Sequence, residues 1–319
     1  MTTQLLTRPL GELEVTVVGL GCNNFGRRLD ADGTRAVVDS ALQTGINFFD
    51  TADIYGGAGE SERLLGLALQ GRRDQVVLAT KWGMDMSAAT PGYPDAAPGS
   101  REYIQFAVRQ SLGRLGVDHI DLYQYHRPDG VTPIDETLRT LHELVTDGIV
   151  GAIGASNFSA AQLQEAAEVA EREGLTPFVS VQNQYSLLER EIEREVTPTC
   201  LRLGLGILPF FPLASGLLTG KYRRGEEPPP GTRLHGRGQV ADARTFDEIE
   251  ALERFAQERG LSTVAAAIGG LAAQPAVTSV IAGATKPEQV RANAAAAAWV
   301  PSPEDIAELN AIFPGPSGV

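Results

Sequence analysis

Residues 45–81 read GINFFDTADIYGGAGESERLLGLALQGRRDQVVLATK, and the reading of that stretch decides the fold. INFFDT at 46–51 is short, apolar and aromatic, as a buried strand requires, and VVLATK at 76–81 repeats the character. The segment 60–69 between them is amphipathic and helix-length, so the unit reads strand, helix, strand. Working outward, the same alternation recurs. VTVVGL at 15–20 precedes the unit, and IDLYQYH at 120–126, VGAIGAS at 150–156, FVSVQNQ at 178–184, GILPFFPL at 206–213 and VTSVIAG at 277–283 follow it. Amphipathic stretches at 33–44, 101–115, 133–146 and 159–173, several entered through Ser, Thr or Asp, supply further crossovers. The strands are apolar nearly throughout, which favours a parallel sheet covered on both faces. Eight strands predict an α/β fold of the (β/α)8 TIM-barrel kind; an open doubly wound sheet fits the alternation too.

The chain has 319 residues and 43% hydrophobic content, enough for one large core, and is expected to form a single domain over 1–319. Two Gly- and Pro-rich insertions, 84–100 after the third strand and 221–245 after the seventh, are expected to be extended loops at the C-terminal face, where barrels carry their sites. The Ala run at 294–298 reads as ordinary helix. Asp and Glu outnumber Lys and Arg 40 to 27, a net charge of −13, which opposes nucleic-acid binding. Cys22 and Cys200 lie far apart without CxxC or Cys/His spacing, so no metal site or disulfide framework is expected and a reducing cytoplasm is. The N-terminal residues lack a signal-peptide pattern and no apolar run has membrane-spanning length, so neither export nor a membrane partner is expected. Nothing in the pattern specifies an oligomeric state.

Four ionisable residues end three consecutive strands. Asp50 closes INFFDT, Tyr55 follows in a Gly-bounded loop, Lys81 ends LATK and His126 ends DLYQYH. Taken singly they read as a cap, a loop anchor, a surface charge and a core histidine; together they converge on one barrel rim. A free tyrosine is a slow acid–base group near neutrality and needs electrostatic help. Lys81 is expected to lower the Tyr55 pKa, and Asp50 to hold the lysine charged.

The ordered motifs GxNFFDTADxYGxGxSE, LATKxG, DLYQxHxPD, GxxGxSNFS, QNxYS and PLxxGLLTGKY resemble the aldo-keto reductase superfamily over nearly the whole chain. The resemblance implies reversible hydride transfer with NADPH, or NADH as the alternative, on a small carbonyl or sugar substrate. Asp50, Tyr55, Lys81 and His126 would form the catalytic tetrad, His126 binding the carbonyl oxygen. No GxGxxG follows the first strand, so a Rossmann site is disfavoured. The resemblance instead places the nicotinamide carboxamide near Ser156, Asn157 and Gln182, with Asp50, Cys22 and Asn23 on the nicotinamide side. Phe210 stands where relatives commonly carry a stacking Tyr, and Phe211 replaces a Ser, losing any hydroxyl contact there. Pro212, Leu213, Ala214, Ser215 and Lys221 fit the pyrophosphate loop, and Arg233 an adenine-side phosphate clamp. Gly283, Ala284, Thr285, Gln289 and Asn293 fit the adenosine segment; Lys286 is available to a 2′-phosphate, although relatives often have Arg where Thr285 stands. The alternatives on the same fold are a nucleotide-sensing binding subunit, against which His126 argues, and an NAD-linked aldose dehydrogenase. Trp82 and Trp299 read equally as pocket-lining or core residues.

Overall fold

The computed structural model describes residues 5–87, 90 and 92–316; residues 88, 89 and 91 of the first insertion and both extreme ends of the 1–319 span lie outside them. The chain opens with an antiparallel hairpin, β1 (Thr7–Leu10) and β2 (Leu13–Thr16). Its turn uses Gly11 at φ 61°, where a Cβ would also stand 2.7 Å from Val179 Cγ1. Eight strands follow: β3 (Val18–Gly21), β4 (Phe48–Asp50), β5 (Val77–Trp82), β6 (Ile120–Tyr125), β7 (Val150–Ser156), β8 (Ser180–Gln182), β9 (Gly206–Ile207) and β10 (Val280–Gly283). They form one parallel sheet in the order β10-β3-β4-β5-β6-β7-β8-β9. Ile207 bridges Val277, and Pro209 O accepts from Ile281 N at 3.1 Å, so the sheet curls until its ends meet as an α/β barrel.

Helices fill the crossovers: α1 (Ala31–Thr44), α2 (Glu60–Ala68), α3 (Arg101–Leu115), α4 (Ile134–Thr146), α5 (Ala160–Glu173), α6 (Val196–Leu203), then α7 (Ala243–Glu258) and α8 (Thr263–Ala272) before β10, and α9 (Pro287–Ala296) and α10 (Pro303–Ile312) after it. Five of the helices cover the five amphipathic stretches read from the sequence, and their entry residues cap as those side chains can. Asp30 accepts from Gly33 N, Ser100 accepts from Tyr103 N, and Ser159 forms a capping box with Gln162.

Strand alternation sorts side chains into two compartments. Val18, Leu20, Phe49, Leu78, Tyr123 and Val181 face the helices in the main core. Phe48, Ala79, Leu122, Ala152, Leu208 and Ile281 cluster with Leu10 and Val15 of the hairpin, which plugs the lower end. One residue pair further along β4, β5, β6 and β8, the inward positions are polar: Asp50, Lys81, Gln124 and Gln182, all buried. The barrel interior is thus oily below and hydrogen-bonding above.

Two strand expectations need correction. VTVVGL is not one strand: Val15 and Thr16 pair within the hairpin, Thr16 N turns to Asn47 Oδ1 at 2.7 Å, and the barrel strand begins at Val18. GILPFFPL contributes only Gly206–Ile207, because Pro209 and Pro212 have no N–H to donate and Phe211 adopts φ 54°. Trp82 is core: it stacks on Tyr123 and Tyr125 at 4.5 and 5.0 Å, and its indole N–H donates to Pro98 O. Trp299 packs on Phe255. Among the described residues no helix is long and apolar enough to cross a membrane.

Candidate active site

Asp50 ends β4, Lys81 lies one residue before the end of β5, and His126 directly follows β6, so the ends of neighbouring strands bring them together. Lys81 Nζ donates to both Asp50 oxygens, at 2.8 and 2.6 Å, and to Thr51 O at 2.9 Å. The Tyr55 hydroxyl is a further hydrogen-bond partner of the ammonium group. Asp50 Oδ1 also accepts from Gln124 Nε2 and Gln182 Nε2, each at 2.9 Å. Burial pushes the lysine pKa down, but Asp50 and Tyr55 outweigh it and hold Lys81 above its ordinary value.

Tyr55 comes from the loop after β4. Its ring lies 5.2 Å from Lys81 Nζ and edge-to-face with His126 at 5.8 Å. The expectation that Lys81 lowers the Tyr55 pKa is corrected in its net result. Lys81 does pull it down, but burial pushes harder the other way and Asp50 offsets the lysine field, leaving Tyr55 above the usual phenol value. Tyr55 is therefore a neutral phenol near pH 7. His126 is driven down to about 3, by burial first and then by Lys81 and Arg127, so its imidazole is neutral too. Its Nδ1 is buried without a partner among the described residues, which leaves Nε2 as the ring atom able to meet a ligand.

These groups stand at one end of a cavity of about 1030 Å³. Its lining includes Cys22, Asn23, Asp50, Tyr55, His126, Ser156, Asn157, Gln182, Phe210, Phe211, Pro212, Leu213, Ser215, Lys221, Arg233, Gly283, Thr285, Lys286, Gln289 and Asn293. Three residues singled out from the sequence, Lys81, Ala214 and Ala284, are not part of its lining; Lys81 is fully buried and reaches the site through Asp50 and Tyr55. Ala284 is buried, and its carbonyl accepts from Asn24 Nδ2 at 3.2 Å. Phe211 holds the Arg233 guanidinium over its ring at 4.7 Å, a contact that a serine at this position would not provide. Phe211, Ala214 and Ser215 all have positive φ, so the loop after β9 is a tight left-handed path. Thr285 N and Oγ1 both donate to Gln289 Oε1, at 2.7 and 3.1 Å.

Sequence reasoning missed Gln124, although it shares the inward face of β6 with Leu122 and period two could have found it. It also missed Arg27, Arg28 and Arg127, cavity residues on loops, where no periodicity points.

The barrel, its polar upper layer and the cavity beside it describe an oxidoreductase site, and residues 17–313 match the Aldo/keto reductase family. The chain belongs to that family; it is an NAD(P)H-dependent oxidoreductase acting on carbonyl groups. It is 38% identical to the uncharacterized oxidoreductase YrpG of Bacillus subtilis, over 96% of this chain and 94% of that protein. It is 35% identical to a probable voltage-gated potassium channel subunit beta of Oryza sativa subsp. japonica, over 90% and 89%. Identity to the L-glyceraldehyde 3-phosphate reductase of Escherichia coli is 34%, over 88% and 84%.

Proposed function

We propose that the chain is a single-domain cytoplasmic reductase that converts an aldehyde or ketone to its alcohol using NADPH in preference to NADH. The observation that carries this is the convergence of a neutral Tyr55, a neutral His126 and Asp50 on a single cavity, with buried Lys81 bonded to Asp50 and beside the Tyr55 ring. The cavity suits a dinucleotide on its own terms. Asn157 Nδ2 is spent on His126 O and Gln182 Nε2 on Asp50, which leaves their side-chain carbonyls to accept from a carboxamide. Lys221, Arg233 and Lys286 line the same cavity and form no ion pair among the described residues, as phosphate partners should. Lys286, at the N-terminus of α9, supports the 2′-phosphate and hence NADPH. The loops 84–100 and 221–245 are read as extended walls at the C-terminal face; Pro230, Gly231, Thr232 and Arg233 of the second line the cavity. The acidic charge supports a role without nucleic acid or membrane, and the free, buried Cys22 and Cys200 support a reducing compartment.

A nicotinamide held by Asn157 and Gln182 would supply the hydride. Tyr55 donates its phenolic proton to the carbonyl oxygen, and Lys81 stabilises the phenolate that results. Asp50 keeps Lys81 charged, and Gln124 and Gln182 hold Asp50 in orientation. Neutral His126 donates Nε2–H to the same oxygen and polarises it, a positioning role rather than proton transfer. The raised Tyr55 pKa favours the donor over the base role near neutrality, so it supports reduction over NAD-linked sugar oxidation.

Titration of the purified protein with NADPH and NADH by fluorescence, followed by turnover against aldehydes and ketones, tests the reading. Tyr55→Phe is expected to keep cofactor affinity and lose about 10²–10⁴-fold in turnover. Near-wild-type turnover would remove Tyr55 from the role; failure to bind either cofactor would overturn the proposal. The rice relative supports a second reading, a nucleotide-binding subunit serving a partner protein, which predicts tight binding with no turnover on any carbonyl.

A further inference from the structure

The charge of the cavity is opposite to that of the protein. In a chain of net charge −13, Arg27, Arg28, Arg127, Lys221, Arg233 and Lys286 line one cavity, and none forms an ion pair among the described residues. Asp50 is the one carboxylate among its described lining residues, and Lys81 already neutralises it. Unbalanced cations repel one another, so such a cavity selects anions. The cations fall into two groups. Arg233 lies near enough to Arg28, Arg27 and Arg237 for their repulsion, after burial, to lower its pKa. Arg127 belongs to the other end: it follows His126 directly in the chain, and its charge is felt by that imidazole.

Arg127 also lines a second, adjoining groove of about 650 Å³, which shares Asn157 with the main cavity. Beyond the arginine this groove is mixed, with Ser159, Gln162, Asn183 and Gln184 on its walls beside Pro128, Phe158 and Ile192. Asn183 is 8% exposed, and its Oδ1 has no partner among the described residues, so a buried acceptor there remains to be met by a ligand hydroxyl or water. The positive end of α5, capped by Ser159, opens on the same groove. Glu189 lines the groove as well and forms no ion pair with Arg127.

We propose that Arg127 is a specificity-determining residue, binding a carboxylate or phosphate group of the carbonyl substrate in the groove beside His126. The chemistry of the step is unchanged: the carbonyl oxygen meets Tyr55 and His126, and the substrate's anionic end extends past Arg127. This rests on the reductase reading above, and the test is arranged so that the two fail separately.

At saturating NADPH, kcat/KM would be compared for matched charged and neutral aldehydes: succinic semialdehyde against butanal, and glyceraldehyde 3-phosphate against glyceraldehyde. Wild type is expected to prefer a charged member by about tenfold or more, with the preference shrinking as salt is raised. Arg127→Gln is expected to reduce the charged-to-neutral ratio by about tenfold, mainly through KM, and Arg127→Lys to restore part of it. The pair that shows the preference tells carboxylate from phosphate. In parallel, succinate and inorganic phosphate would be titrated calorimetrically into the NADP-saturated protein and into its Arg127→Gln variant. Turnover with no charge preference, or a preference that survives Arg127→Gln, overturns this proposal while leaving the reductase reading standing. Arg127-dependent anion binding with no turnover of any aldehyde sustains the anion site while the reductase reading fails. Arg127→Gln weakening NADPH binding as much as it weakens the charged aldehyde would assign the cation to the cofactor and overturn the proposal.

Discussion

Two polar clusters sit back to back across strand β5, and they are built to opposite rules. Lys81 faces the barrel interior and Thr80 the surrounding helices, because successive residues of a strand point to opposite sides. On the inner side every atom of the Lys81–Asp50 pair is engaged: two contacts between them, Thr51 O, and the amides of Gln124 and Gln182. On the outer side Glu62 accepts from Thr80 at 2.5 Å and from Arg114 Nε at 2.6 Å, while neighbouring Asp53 is fully buried and no side chain among the described residues reaches its carboxylate oxygens. Burial and the Glu62 charge push the Asp53 pKa well up, which favours its neutral form. Inside, the carboxylate has a full set of partners; outside, the one that lacks side-chain partners is pushed toward its neutral form. The inner cluster can therefore supply a permanent cation beside Tyr55; the outer one serves packing.

The sharpest way to break this contrast is to remove the cation from the inner cluster. Lys81→Met leaves Asp50 buried with amide partners alone and is expected to cost on the order of 3–5 kcal/mol in urea-induced unfolding, besides slowing turnover. A cost under about 1 kcal/mol would mean that the amides suffice and the pair is not the source of the order.

Asp53→Asn should do far less at acid pH and should stabilise as pH rises. The folded pKa of Asp53 lies above its unfolded value, so between the two the native state holds a proton that the unfolded chain releases, and wild-type stability falls with increasing pH. The amide has no such proton. Thermal melts of the pair at pH 5 and pH 7 are expected to diverge by about 1 kcal/mol or more in favour of Asn. Equal pH dependence would show Asp53 to be ionised, and the two clusters to be alike.

The smallest expected effect lies at His126. Held down to about 3, it contributes no protonation step between pH 5 and 8, so kcat at saturating substrate should be flat across that window on its account. A limb near pH 6.5 that disappears in His126→Asn would show that the ring titrates and is not the fixed neutral donor.

Much of the fold was legible because burial on both faces of a parallel strand leaves an unmistakable apolar run, and amphipathic crossovers leave a helical period. Reading failed where an apolar run hid a change of direction, at Val15–Val18, and where two prolines ended a strand early, after Ile207. The four rim residues were legible because each ends or follows a strand. Gln124 was not, because a polar residue inside a strand announces itself only once its partners are known.

The amino-acid order by itself determined the strand–helix alternation, the acidic surface, the motifs shared with the family and the residues Asp50, Tyr55, Lys81 and His126. Local pattern encodes these, since periodicity and caps act within a few residues. Tertiary structure alone decided that the Tyr55 pKa is raised, that His126 is neutral, that the Asp53 pKa is pushed up, and that Arg127 lines the cavity beside His126 without an ion-pair partner among the described residues. Each of those properties depends on desolvation and on charges brought from distant segments, quantities that exist only after the barrel closes.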